Sequence, residues 1–209
     1  DIVATADMKD TSFKEYERVS SVINRYIDQG PAWLLSDRMG AGNTATFYFS
    51  LPGEEELAGK DDRRAYFAFA PRLEQNITIL PGGRMPQEHP VNLLEDALEL
   101  EAIVPEEAAE LLGVKVGDQI SVIPYWEDTL PYLRVRISGV FQRSTPDEEF
   151  WHLYENVLQS SRFITVRALP LFVSEETYLG VLGPAFSNLN STYAWLLNVD
   201  TERLHPGNT

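Results

Sequence analysis

Proton transfer near neutral pH calls first for imidazole, and the chain has three histidines, His89, His152 and His205. They are far apart in sequence, and none sits in a His-Glu-x-x-His, Gly-x-Ser-x-Gly or dinucleotide-type context. Two carboxylate pairs, Glu148/Glu149 and Glu175/Glu176, are candidates for general acid–base work. Such work needs two carboxyl groups facing each other across a cleft, which neighbours in sequence do not. Both pairs stand at expected helix starts, where acids complement the helix dipole. The run Glu54, Glu55, Glu56, Asp61 and Asp62 offers oxygen ligands, but a divalent cation needs them convergent, and the spacing reads as a solvated loop. Asp118 follows Gly117, and turn chemistry accounts for it. There is no cysteine, which excludes disulfides, thiolate nucleophiles and thiolate metal sites. The residues themselves therefore predict no catalytic, cofactor-binding or metal site.

Composition narrows the partners. In 209 residues, 32 acids stand against 17 bases, for a net charge of −15. A phosphate backbone would be repelled by that balance, so nucleic acid is not an expected partner. Hydrophobic residues make up 44% and charged residues 23%, as in ordinary globular chains, and a chain of this length buries a sizeable core. Residues 177–199 carry no charge and are long enough to cross a bilayer. They contain Gly180, Gly183, Pro184, Asn188, Asn190 and Asn198, however, and read as helix end, loop and strand. The first ten residues lack the basic and apolar regions of a signal peptide, and both ends read as cuts in a longer chain.

The elements follow from periodicity. Ser12 to Glu15 forms a capping box, and Phe13, Tyr16, Val19, Ile23 and Tyr26/Ile27 recur at helical spacing, which predicts a core-facing helix over 12–29 ended by Gly30-Pro31. Strands are expected over 41–51, 66–70 and 73–80, the first two forming a long hairpin around the acidic run. Gly82-Gly83 marks a turn, and 92–96 reads as loop. Leu98 to Val104 alternates apolar and acidic residues, as a half-exposed strand does. Pro105 is expected as first residue of a short helix that Gly113 stops, and a Gly117-Asp118 turn then leads into a strand over 119–123. A strand over 133–141 has one wet face through Arg134 and Arg136. A helix over 146–160, strands over 163–166 and 170–173, a capped helix from Ser174 ending at Gly183-Pro184, and a last strand over 191–199 complete the pattern. Helices and strands mix without regular βαβ units, so the expected class is α+β.

Four segments in order resemble a known family. ILPGGRMPQ at 79–87, IVPEEAAELLGVKVGDQISV at 103–122, LRVRISGVFQ at 133–142 and PLFVSEETY at 170–178 look like the extracytoplasmic, or periplasmic core, domain of MacB/FtsX-like ABC transporter permeases. Gly83-Arg84-Met85-Pro86 fills the family's Gly-Arg-x-Pro turn, Ala109 to Gly113 with Gly117-Asp118 its helix and turn, and Gly139-Val140 its strand end. The resemblance covers about 79–180. The link from Gln87 to Leu98 is longer than the family's short one.

The resemblance implies a mixed α/β lobe and a mostly β lobe, expected here as about 1–80 with 160–209 and about 81–159. It implies a non-catalytic domain without cofactor, held between transmembrane helices of the same chain on the extracytoplasmic side of the cell membrane. A cytoplasmic ATP-binding subunit drives the permease dimer, and the outer domain passes the motion to a substrate, an adaptor or an envelope partner. A contact surface is expected at Tyr125, Trp126 and Tyr132 with Phe150 and Trp151, because aromatic residues concentrate in interface cores, although such residues are more often simply buried. Two alternatives remain: a soluble enzyme whose carboxylate pair is assembled in space, and a double-psi-barrel substrate-recruiting domain, which LGVKVGD also resembles.

Overall fold

The structure is a computed structural model and describes residues 2–8, 13–51, 54, 63–88, 92–94, 97–124, 126, 133–144, 150–151, 154, 168–186 and 188–204. Eleven strands form one mixed sheet, in the order β1-β11-β2-β4-β10-β7-β9-β8-β3. Their ranges are β1 Ile2–Met8, β2 Leu35–Thr44, β3 Phe47–Ser50, β4 Arg64–Phe69, β5 Ile77–Ile79, β6 Asn92–Leu94, β7 Ala97–Pro105, β8 Gln119–Ile123, β9 Leu133–Arg143, β10 Ala168–Phe172 and β11 Ser191–Val199. β5 adds to β9 and β6 to β7. With few helices around a large mixed sheet, the class is α+β, as composition and periodicity predict.

The sheet closes on itself. β3 pairs with β8 at one side and with β4 at the other, so β4, β10, β7, β9, β8 and β3 form a ring of six strands. Two pairs in the ring are parallel, β4 with β10 and β7 with β9; the other pairs are antiparallel. Period-two alternation fills one buried cluster from these strands: Phe47 and Phe49, Ala65 and Phe67, Leu100, Ala102 and Val104, Ile120 and Val122, Leu133, Val135 and Ile137, Leu169 and Leu171. The opposite faces of β4, β7, β9 and β10 carry a second cluster, with Tyr66, Ala68, Ile103, Phe141 and Phe172. Ring strands come from both of the sequence segments expected as lobes.

Beside the ring lies an antiparallel wing, β1-β11-β2, joined to it where Gly42 and Asn43 meet Phe69 and Ala68 of β4. Helix α1, Phe13–Gln29, packs on the wing through Tyr16. That ring lies 5.0 Å from Tyr193, stacks on Trp195 at 5.9 Å, and meets Phe69 edge-on at 6.2 Å. Ile27 closes a satellite cluster with Leu35 and Leu197. The predicted stripe faces the core at Tyr16, Val19, Ile23 and Ile27, whereas Tyr26, expected on it, points into water, and Gly30-Pro31 ends the helix in a 3₁₀ turn, Pro31–Leu34.

Several boundaries differ from expectation. The strand expected over 41–51 is two strands. β2 begins earlier, at Leu35, and the chain leaves the wing at Ala45, whose amide donates to the Asn190 carbonyl at 2.8 Å, before entering the ring as β3. The loop expected at 92–96 contains β6, which turns back on β7 with Leu94 opposite Ala97. Pro105 is the cap of helix α2, Glu106–Leu112, and not its first residue; Gly113 stops it in the left-handed conformation, as expected. At the end of β10, Ser174 caps the next helix by accepting from the Thr177 amide at 3.1 Å. Three segments, Glu175–Thr177, Tyr178–Leu182 and Gly183–Ala185, run on as one helix, α3, past the expected stop at Gly183-Pro184. The middle segment is a π turn, which widens the helix just before Pro184, a residue that cannot donate to the ladder. The helix expected over 146–160 and the strand over 163–166 lie mostly or wholly outside the described residues.

Candidate functional site

Three of the motif segments that carry the family resemblance come together on one short piece of β9. In its register with β7, Ala102 faces Ile137 and Ile103 faces Gly139, so Ser138 is the extra residue of a β-bulge. The bulge turns the Ser138 carbonyl toward the 81–86 turn, where it accepts from the Arg84 amide at 2.8 Å. Leu80 donates to the Val140 carbonyl at 2.8 Å, and Ser138 Oγ donates to the Ala102 carbonyl at 3.2 Å. On the other side, the Gly117 amide donates to the Ile137 carbonyl and the Ile137 amide to the Asp118 carbonyl, both at 2.8 Å. Asp118 Oδ2 accepts from the Lys115 amide at 3.0 Å, closing the turn, and Gly117 has φ +89°, which favours glycine there.

Contact is closest between Gly83 and Gly139. A Cβ on Gly139 would lie 2.7 Å from the Arg84 carbonyl oxygen, and one on Gly83 would lie 2.9 Å from Gly139 Cα. Only two glycines let these backbones touch. Three motif segments that are distant in sequence, 83–86, 117–118 and 139–140, thus form one docked unit.

An ion pair between a buried carboxylate and a half-exposed arginine fastens it. Glu101 projects from the face of β7 opposite the ring core, with a side chain 2% exposed. Arg84 reaches it with two bonds, Nη1 to Oε2 at 2.6 Å and Nη2 to Oε1 at 2.5 Å, and the Gln87 amide donates to Oε2 at 3.1 Å. Burial by itself raises the Glu101 pKa; the Arg84 hydrogen bonds, the Gln87 amide, and the charges of Arg84 and Arg136 outweigh it and hold the carboxyl below its ordinary value. Glu99, two residues earlier, accepts from Arg136 Nη2 at 2.8 Å. The acidic face of Leu98 to Val104 is therefore not wet, as the alternation predicts, but buried under two arginines. Arg136 itself is exposed.

Two cavities flank this unit. One, of about 280 Å³, lies between Met85, Pro86, Glu88, Arg72, Ser174 and Glu175. Its Ser174 hydroxyl already caps α3. Glu175 is raised above its usual range, first by desolvation, against a hydrogen bond from Tyr16, while burial and Glu175 push Tyr16 up to about 12. The two shifted carboxyls do not share this cavity, since Glu101 does not line it. The other, of about 340 Å³, is walled by Phe141, Trp151, Tyr154 and Phe172, with Glu106 and Arg143 at its polar side. Among the described residues no group of three or more His, Asp or Glu is placed to hold a metal ion.

The predicted contact aromatics are placed as follows. Trp126 is half-buried against Phe47 at 5.0 Å and Phe186 at 6.3 Å. Phe150 and Trp151 are buried, with Trp151 stacked on Phe141 at 6.3 Å and covered by the Arg143 guanidinium at 4.5 Å. Tyr125 and Tyr132 lie outside the described residues, as do His89, His152 and His205 and the Glu148/Glu149 pair. The Arg84–Glu101 pair is not found by sequence reasoning. Its only signal is an acid within an apolar strand and an arginine in a glycine turn, 17 residues apart.

No helix among the described residues is long and apolar enough to cross a membrane. No family model matches the chain, and no curated protein matches it. Among solved structures, the chain is similar to a domain of a protein assigned as a permease, from Porphyromonas gingivalis. The two are 11% identical, with a TM-score of 0.37, over 100% of this chain and 76% of that one. A likeness at this score fixes neither family nor function.

Proposed function

We propose that the chain is the extracytoplasmic domain of a MacB/FtsX-like ABC transporter permease. In this reading it carries no catalytic site, and it passes motion driven by a cytoplasmic ATP-binding subunit to a substrate, an adaptor or an envelope partner, within a permease dimer. The observation that supports it is the docking of Gly83-Arg84, Gly117-Asp118 and Gly139-Val140 on one bulge of β9. Residues that match a family pattern in order could do so by chance. Here they also hold one another through backbone hydrogen bonds and a glycine–glycine contact, so the pattern has a physical cause. The two lobes become, in this proposal, the six-stranded ring and the wing with α1. The test is the chain on either side of residues 1–209. The reading requires apolar spans of about 20 residues close to both ends. Charged flanks without such spans contradict it.

A second reading is favoured by one observation, the closed ring of six strands with two parallel pairs. That geometry suits a double-psi-barrel substrate-recruiting domain. An experimental structure in which the segments before β7 and β10 do not cross one another contradicts this reading and leaves the first intact.

A further inference from the structure

One end of the wing carries exposed aromatic side chains that the fold does not use. Trp33 is 54% exposed and Tyr26 is 79% exposed, although both flank the well-packed Ile27 and Leu35. Trp33 sits in the 3₁₀ turn after α1, and Tyr26 in the last turns of α1. Of the chain's four tryptophans, Trp151 and Trp195 are buried and Trp126 is half-buried, so Trp33 is the one that stands out in water.

The same end gathers the outermost strands. Ile2 of β1 lies opposite Leu197, and Val199 lies opposite Leu35. The Asp200 amide donates to the Leu34 carbonyl at 2.7 Å, and Arg203 Nη1 donates to the Trp33 carbonyl at 2.8 Å. A segment preceding β1 and a segment following the 201–204 turn would therefore both leave the fold beside Trp33. The segments that form this end carry Arg25, Arg38 and Arg203 and also Asp28, Asp37, Asp200 and Glu202, in a chain whose acids outnumber its bases almost two to one. Arg38 is paired with Asp28 at 2.8 Å and Arg203 with Asp200 at 2.9 Å, so local charge is close to balanced.

We propose that this end, with Trp33 and Tyr26 at its tip, rests on the headgroup region of a lipid bilayer. The inference depends on the permease reading, which puts membrane where both flanking segments leave. The side chains fit the surface. Indole and phenol rings have an apolar body and one polar handle, and they collect at the depth where headgroups meet acyl chains. Neither ring lines the two cavities described above, and both are more than half exposed. Near-neutral local charge suits zwitterionic headgroups, whereas the acidic remainder of the molecule is kept off an anionic surface.

Tryptophan emission tests this directly. The 209-residue chain, tethered by an N-terminal polyhistidine tag to phosphatidylcholine vesicles with nickel-chelating headgroups, is compared on plain and acyl-brominated lipid. The expected result is a loss of emission on brominated vesicles for the native chain and no loss for Trp33→Phe, with equal urea midpoints showing that both are folded. A Tyr26→Ser variant is expected to reduce the quenching without abolishing tethering. Equal emission of the native chain on plain and brominated vesicles overturns the proposal, whatever else covers this end. The permease reading fails separately, on the flanking sequence, and quenching of Trp33 would then mark a peripheral membrane contact of the same surface.

Discussion

Gly139 is a residue whose side chain is forbidden by the backbone opposite it. A methyl group there would sit 2.7 Å from the Arg84 carbonyl oxygen and 3.1 Å from Ile103 Cγ2, and backbone cannot rotate away as a side-chain tip can. Gly139→Ala is expected to destabilise the chain by about 2 kcal/mol, the cost of a strained overpacking, read as a lower urea midpoint. Glu101 makes the complementary prediction. Its folded pKa lies below the ordinary glutamate value, so its contribution to stability is fully present above that ordinary value of about 4.3 and is lost as pH falls through the lowered one. Glu101→Gln removes the charge and leaves Arg84 to water, with which that half-exposed guanidinium is already in contact. The expected loss near neutral pH is about 1–2 kcal/mol. The difference in urea midpoint between native and variant should shrink as pH drops below about 4. A difference that stays constant with pH would mean that the carboxylate is not held low by Arg84.

At the scale of elements, helix α1 is fastened by Tyr16 together with Val19, Ile23 and Ile27. Tyr16 lies among Phe69, Tyr193 and Trp195, whereas Tyr26, on the same helix, lies in water. Tyr16→Ala is expected to lower stability by about 2–3 kcal/mol, and Tyr26→Ala by less than about 0.5 kcal/mol, measured by urea unfolding of the two variants. Much of this element was legible from the spacing of Tyr16, Val19, Ile23 and Ile27. So were α2, the Gly117-Asp118 turn and the Ser174 cap, because each depends on residues within a few positions of one another. What spacing could not show depends on distant partners. The β-former run is interrupted at Ala45, whose amide is bonded to the carbonyl of the distant Asn190. α3 ends at Ala185, one residue beyond Pro184, after a π turn that spacing alone does not reveal. Glu99 and Glu101 read as solvent-facing because nothing local reveals Arg136 and Arg84 above them.

For the whole molecule, the α+β class was legible, but the ring was not, since closure depends on β3 meeting both β8 and β4. Ring and wing share buried core: Gly42 and Asn43 pair with Phe69 and Ala68, Met8, Tyr193 and Trp195 belong to the same cluster as Phe47 and Phe67, and Ala41 and Ala194 to the cluster of Tyr66 and Phe172. The absence of cysteine in these 209 residues allows the central claim to be tested in cells. Leu111 is 68% exposed on α2, in the ring part of the fold, so a single cysteine there is reachable. The measurement is labelling of the full-length Leu111→Cys protein, cleared of other cysteines, with a membrane-impermeant maleimide. The proposed permease domain predicts labelling in intact cells, or in intact spheroplasts if an outer membrane is present, with the protein in the membrane fraction. Labelling only after the inner membrane is broken, or recovery in the soluble cytosol, would contradict it.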